Sequence, residues 1–129
     1  EKGDYKHFMA KEIDEQPTTI KNCVNEYINK VINRSDCFQG RVANREQIQI
    51  QIDFPQHAEW VEQFKSWWKI GLNDWHMRND DDAELIFLCE LGPRPYAITD
   101  GNQEELSDRW NEALIIRKWI QSFWNEIQK

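Results

Sequence analysis

Few side chains in this sequence have the type and placement that chemistry needs, and Glu90 comes first among them. It directly follows the apolar run Leu85-Ile86-Phe87-Leu88-Cys89, where a strand would end. An ionised carboxylate at that point is either a hard oxygen ligand of the kind Mg²⁺ or Mn²⁺ prefers, or a solvated charge closing the strand. Arg41, in Gly40-Arg41-Val42, reads from its type alone as the partner of a surface carboxylate. His7, His57 and His76 lie far apart with no ligand spacing, and each reads as a surface or boundary side chain. The run Asp80-Asp81-Asp82 lacks the glycine and distal glutamate of a calcium loop and reads as a solvated turn. Cys23, Cys37 and Cys89 are odd in number and show no CxxC spacing. Reduced thiols in a cytoplasmic setting follow, with neither disulfides nor a zinc site.

The elements that must hold these residues can be read from hydrophobic period. Phe8, Met9 and Ile13 give a short helical pattern that Pro17 interrupts, and a second helix starts there on Ile20, Val24, Tyr27 or Ile28, and Val31. Residues 33–40 break the period. Ile48, Ile50 and Ile52 then alternate with Gln47, Gln49 and Gln51, which predicts an extended segment with one buried face. From Ala58 the spacing of Val61, Phe64, Trp68, Leu72 and Trp75 predicts a helix that ends at Asn79 to Asp82. Leu85 to Cys89 predicts a short strand buried on both faces, as in a parallel sheet. A last helix over Leu106 to Ile127 packs through Ala113, Ile116, Ile120 and Phe123, with Ser107 or a slightly earlier residue as its cap. Strand, helix, buried strand, helix is the order of a βαβα unit.

Charge and composition close off other classes. The formal charge is −7, from 23 acidic and 16 basic side chains, and no basic cluster stands out, which argues against nucleic acid as a partner. No stretch reaches the roughly 20 apolar residues of a membrane span. The first residues, EKGDYKHFMAKEIDEQ, carry no apolar signal core and begin with Glu rather than Met, so the true start is expected either to lie upstream or to have been removed. Seven tryptophans in 129 residues imply wide apolar faces for packing, with possible self-association through them.

Particular strings carry two resemblances. GRV, QIDFPQHAEW, the pair Trp67-Trp68, CELGPRPYAIT and LSDRWNEAL lie within residues 36–129. Together they resemble the C-terminal part of xylose-isomerase-like TIM-barrel proteins, the sugar phosphate isomerase/epimerase superfamily. The resemblance implies the last two strands and helices of a barrel that needs about 250 residues when whole. It also implies a metal-ligating carboxylate at Glu90 and a substrate-facing arginine at Arg41. Where many relatives show histidines shortly before that arginine, this chain has Cys37 and Gln39. Residues 1–33, with HFMAKEIDEQP, resemble instead the stretch that opens the isomerase half of glutamine–fructose-6-phosphate aminotransferases. No catalytic residue of that family is matched here.

The fold expected is therefore α/β: an incomplete, C-terminal βαβα portion of a TIM barrel at 36–129, preceded by a helical segment at 1–33. The resemblance implies a sugar or sugar-phosphate substrate and a divalent metal, Mg or Mn, bound weakly or not at all by this portion. The expected function is a fragment or chimera of a metal-assisted aldose–ketose isomerase or epimerase, inactive alone. Alternatives are a fragment of the aminotransferase and a non-catalytic α/β interaction module.

Overall fold

The computed structural model describes residues 25–129. The chain divides into two compact units, Glu1–Arg34 and Ser35–Lys129. In the first unit, residues 25–32 are helical (α1). This helix carries an exposed ion pair one turn apart, Lys30 Nζ to Glu26 Oε1 at 2.7 Å. The helix expected on Phe8, Met9 and Ile13, and the proline-led start of the next, lie outside the described residues.

The second unit runs β1 (Cys37–Gln39), a 3-10 turn (Pro55–His57), α2 (Ala58–Arg78), β2 (Ile86–Leu88) and α3 (Arg109–Ile127). β1 and β2 pair in parallel, with Cys37 opposite Ile86, Phe38 opposite Phe87 and Gln39 opposite Leu88. Parallel neighbours cannot be joined by a tight turn, so the chain must return along a crossover, and α2 supplies it. Pro55 suits the first helical turn because it has no N–H to leave unpaired. Val61, Trp68, Gly71, Leu72 and Trp75 then recur at helical spacing and form the buried stripe of α2. At its far end Arg78 pairs with Asp36 at 2.8 Å and donates to the Ser35 carbonyl, tying the helix end to the start of β1. Asp108 caps α3 by accepting from the Asn111 N–H at 2.9 Å.

The core gathers Val42, Ile50, Ile52, Val61, Trp68, Leu72, Ile116 and Ile120. Full burial of a side chain such as Leu72 or Ile116 is worth about 1.5–3 kcal/mol. Trp68 joins the layers, donating its indole N–H to the Gln39 carbonyl at 3.2 Å and meeting Phe87 edge-on at 5.6 Å. α3 lies on α2 through Trp75 and Trp124, 6.0 Å apart, and through the Lys69–Glu126 pair at 2.6 Å.

Three expectations need correction. The first strand is Cys37–Gln39, within the stretch read as irregular, and the Ile48–Ile52 run is not a strand. Its alternation fails as a burial pattern, because Ile48 is exposed while Gln49, Ile50, Gln51 and Ile52 are all buried. The strand expected over Leu85 to Cys89 is shorter, Ile86–Leu88, and Ile86 and Leu88 are 65% and 52% exposed, as a lone βαβα unit without neighbouring strands must leave one face. The cap of α3 is Asp108, while Ser107 accepts from the Arg109 guanidinium.

Gly40 is required where strand and helix come closest. Its N–H donates to the Leu88 carbonyl at 2.7 Å, and a Cβ there would lie 2.6 Å from Phe87 Cε1 and 3.0 Å from Ile116 Cγ2. Gly40→Ala is expected to lower unfolding free energy by about 1–3 kcal/mol, the cost of overpacking a filled core. Denaturant titration checks this, and an unchanged midpoint would contradict the close approach.

Candidate functional site

Because β1 and β2 run the same way, the loops leaving their carboxyl ends share one edge of the unit. Arg41 follows β1 and Glu90 follows β2, and this places them together: Arg41 Nη1 lies 3.8 Å from Glu90 Oε1. The Arg41 side chain is 20% exposed and that of Glu90 is 46% exposed. A pair this open contributes about 0–1 kcal/mol to stability, so holding the fold does not explain it. Both groups are free to exchange each other for a ligand. The guanidinium can donate to hydroxyl or phosphate oxygens, and the carboxylate can accept a hydroxyl proton or bind a cation.

The loop after β1 is shaped by its own sequence. Asn44 Oδ1 accepts from the N–H groups of Glu46 and Gln47 at 2.9 and 2.6 Å, folding the tip. The Ile50 N–H donates to the Val42 carbonyl at 3.0 Å and closes the stem. From this stem the Gln49 side chain reaches the loop after β2. The Gly92 N–H donates to Gln49 Oε1 at 2.8 Å, and Gln49 Nε2 donates to the Gly92 carbonyl at 3.0 Å.

Behind the loop lies a buried charged pair that the sequence reading did not single out. Arg109 Nη1 stands 3.0 Å from Glu112 Oε2, with side chains 4% and 3% exposed. These two atoms are close enough to pair but not aligned for a hydrogen bond. Glu112 Oε1 accepts from the Ile52 N–H at 3.1 Å, anchoring the returning loop to the first turn of α3. Burial pushes the Glu112 carboxyl up, against the opposing pull of Arg109 and the Ile52 N–H. In sequence the two are only an Arg and a Glu three apart, a spacing that normally marks an exposed helix pair.

The other candidates are accounted for by their neighbours. His57 is buried, donates from Nδ1 to the Gln51 carbonyl at 2.7 Å and stacks on Phe54, which makes it a loop anchor. His76 packs edge-on against Trp124. Asp80, Asp81 and Asp82 are exposed, in and beside the turn after α2. Burial pushes the Cys89 thiol up, so it stays protonated. His7 and Cys23 lie outside the described residues. A groove between α2 and α3 is lined by Lys65, Lys69, Trp119 and Phe123. Its two lysines are already paired with Glu62 and Glu126 and lie over the aromatic rings. Among the described residues no group of three or more His, Cys, Asp or Glu side chains is gathered to hold a metal ion. No described helix is long and apolar enough to cross a membrane.

Comparison with known proteins finds short matches. The chain is 60% identical over 30 residues to the isomerizing glutamine–fructose-6-phosphate aminotransferase of Halalkalibacterium halodurans, covering 23% of this chain and 5% of that protein. It is 63% identical over 27 residues to the corresponding enzymes of Bacillus thuringiensis subsp. konkukian and Bacillus anthracis, covering 21% of this chain and 4% of each. The chain thus spans about a twentieth of the length of the curated relatives it matches. No family model matches the chain. No solved structure matches it.

Removing one member of the buried pair leaves the other charged and desolvated. Glu112→Leu is expected to lower stability by about 3–5 kcal/mol, and the double variant Arg109→Leu/Glu112→Leu by clearly less. Additive losses, the double variant losing as much by denaturant unfolding as Arg109→Leu and Glu112→Leu together, would show that the charges do not interact.

Proposed function

We propose that residues 35–129 are the closing segment of a sugar isomerase or epimerase barrel, and that Arg41 and Glu90 are its contribution to the mouth of the site. One observation carries this reading: two adjacent parallel strands, linked through a helix, deliver a guanidinium and a carboxylate to the same carboxyl-end edge, 3.8 Å apart. Barrels of this kind place their chemistry on that edge. The open face of Ile86 and Leu88, and strands that pair only with each other among the described residues, fit a sheet meant to continue.

The resembling family works with a divalent metal, and the residues present here do not complete a site for one. Mg²⁺ and Mn²⁺ take several oxygen donors in near-octahedral array, and Glu90 offers a single carboxylate beside a cation. In this unit Glu90 and Arg41 bind and orient a polyol or its phosphate, and they do not complete a reaction. A second reading rests on the 30-residue match: the chain carries a piece of a glutamine–fructose-6-phosphate aminotransferase joined to an unrelated α/β unit.

Mn²⁺ titration of the purified chain, followed by broadening of its amide resonances, separates these ideas. Weak binding that broadens Glu90 first and disappears in Glu90→Gln, with no ketose–aldose turnover, is the expected result. Robust turnover abolished by Glu90→Gln would overturn the fragment reading. Broadening indifferent to Glu90 would remove the carboxylate from the site.

A further inference from the structure

The geometry points to Gln49 as the residue that positions Glu90 against Arg41, an inference that rests on reading these two as the working residues of the site. Arg41 and Glu90 stand on different loops, and at 3.8 Å with partial exposure their own attraction is too weak to fix the loops. Gln49 is 5% exposed and turns its whole amide toward one residue, accepting from the Gly92 N–H and donating to the Gly92 carbonyl. Leaving a buried amide without partners is costly, so this two-point bond fixes the side chain's orientation as well as its place.

The path through it is short. Arg41 is bonded to Val42, whose carbonyl receives the Ile50 N–H, and Ile50 follows Gln49. On the other side Gly92 is two residues beyond Glu90. Gly92 also lies close under Tyr96, where a Cβ would come within 2.9 Å of the Tyr96 Cβ, so its peptide has little freedom to move away from the bond. Gln49 therefore acts as a latch that fastens the loop carrying Glu90 to the loop carrying Arg41. It touches neither group and makes no chemistry of its own.

NMR of the full chain tests this with Gln49→Leu, which removes both bonds, and Gln49→Glu, which keeps only the acceptor for the Gly92 N–H. In the wild type, the Gln49 side-chain amide protons should show a cross-peak to Gly92, and the Arg41 guanidinium protons, slowed at low temperature, should show one to Glu90 Hγ. In Gln49→Leu the Gly92 amide is expected to exchange about tenfold faster or more, as for loss of one or two neutral hydrogen bonds. The Arg41–Glu90 cross-peak should vanish while the amides of Leu72 and Ile116 keep their protection. Gln49→Glu should fall between, and it carries the test if the leucine variant does not fold. A merely structural Gln49 would lower core protection and leave the Arg41–Glu90 cross-peak in any folded population, and that result overturns the proposal. Absence of the wild-type Gln49–Gly92 cross-peak also overturns it. Mn²⁺ added to the same samples keeps the two readings apart: if Glu90 is not selectively broadened but the cross-peaks behave as stated, the latch stands and the ligand role of Glu90 falls.

Discussion

Everything in the second unit follows from two very short strands lying parallel. A three-residue strand gains little from its ladder, and a parallel pair must be separated in sequence by a crossover long enough to run back along the sheet. Here the crossover includes the 21-residue helix α2, whose buried stripe covers the inner face of the pair. Trp68 fastens that helix to the end of β1, and Gly40 lets the sheet approach Ile116 of α3. The pairing is thus held by packing far more than by strand hydrogen bonds. Its geometric consequence is that both strands end at the same edge, which puts the loops of Arg41 and Glu90 side by side.

The polar groups near that edge form a graded arrangement. Deep in the unit, Arg109 and Glu112 are almost fully buried and hold the Ile52 amide, so the returning loop is anchored from behind. Nearer the edge, the buried Gln49 joins the two loops through Gly92. At the surface, Arg41 and Glu90 remain partly open to solvent. Burial declines outward: the Arg109–Glu112 pair and Gln49 are enclosed, while Arg41 and Glu90 keep part of their surface in solvent.

Much of this was legible in the residues, and the failures have physical causes. Spacings of three and four made α2 and α3 plain, because each buries a stripe on the other and on the sheet. Leu85 to Cys89 shows a strand suited to burial on both faces, and a lone βαβα unit has no neighbouring strands to hide it, so Ile86 and Leu88 stay open. Cys37–Gln39 was hidden, because three residues cannot display a period; Gly40, essential to the close approach, was the available signal. The Gln/Ile run misled because alternation assumes that glutamine faces water. Gln49 is buried on the backbone of Gly92, and a buried amide with partners looks like a surface residue in sequence. Arg41 and Glu90 came from resemblance to a family, and no spacing rule would have paired residues 49 positions apart.

The pairing of β1 with β2 is the claim on which the site depends, and backbone NOEs across the sheet measure it directly. The account predicts contacts between Phe38 and Phe87 and between Gly40 and Leu88, with a slowly exchanging Gly40 amide. Contacts joining residues 48–52 to residues 86–88, with 37–39 unpaired, would contradict it and would separate Arg41 from Glu90.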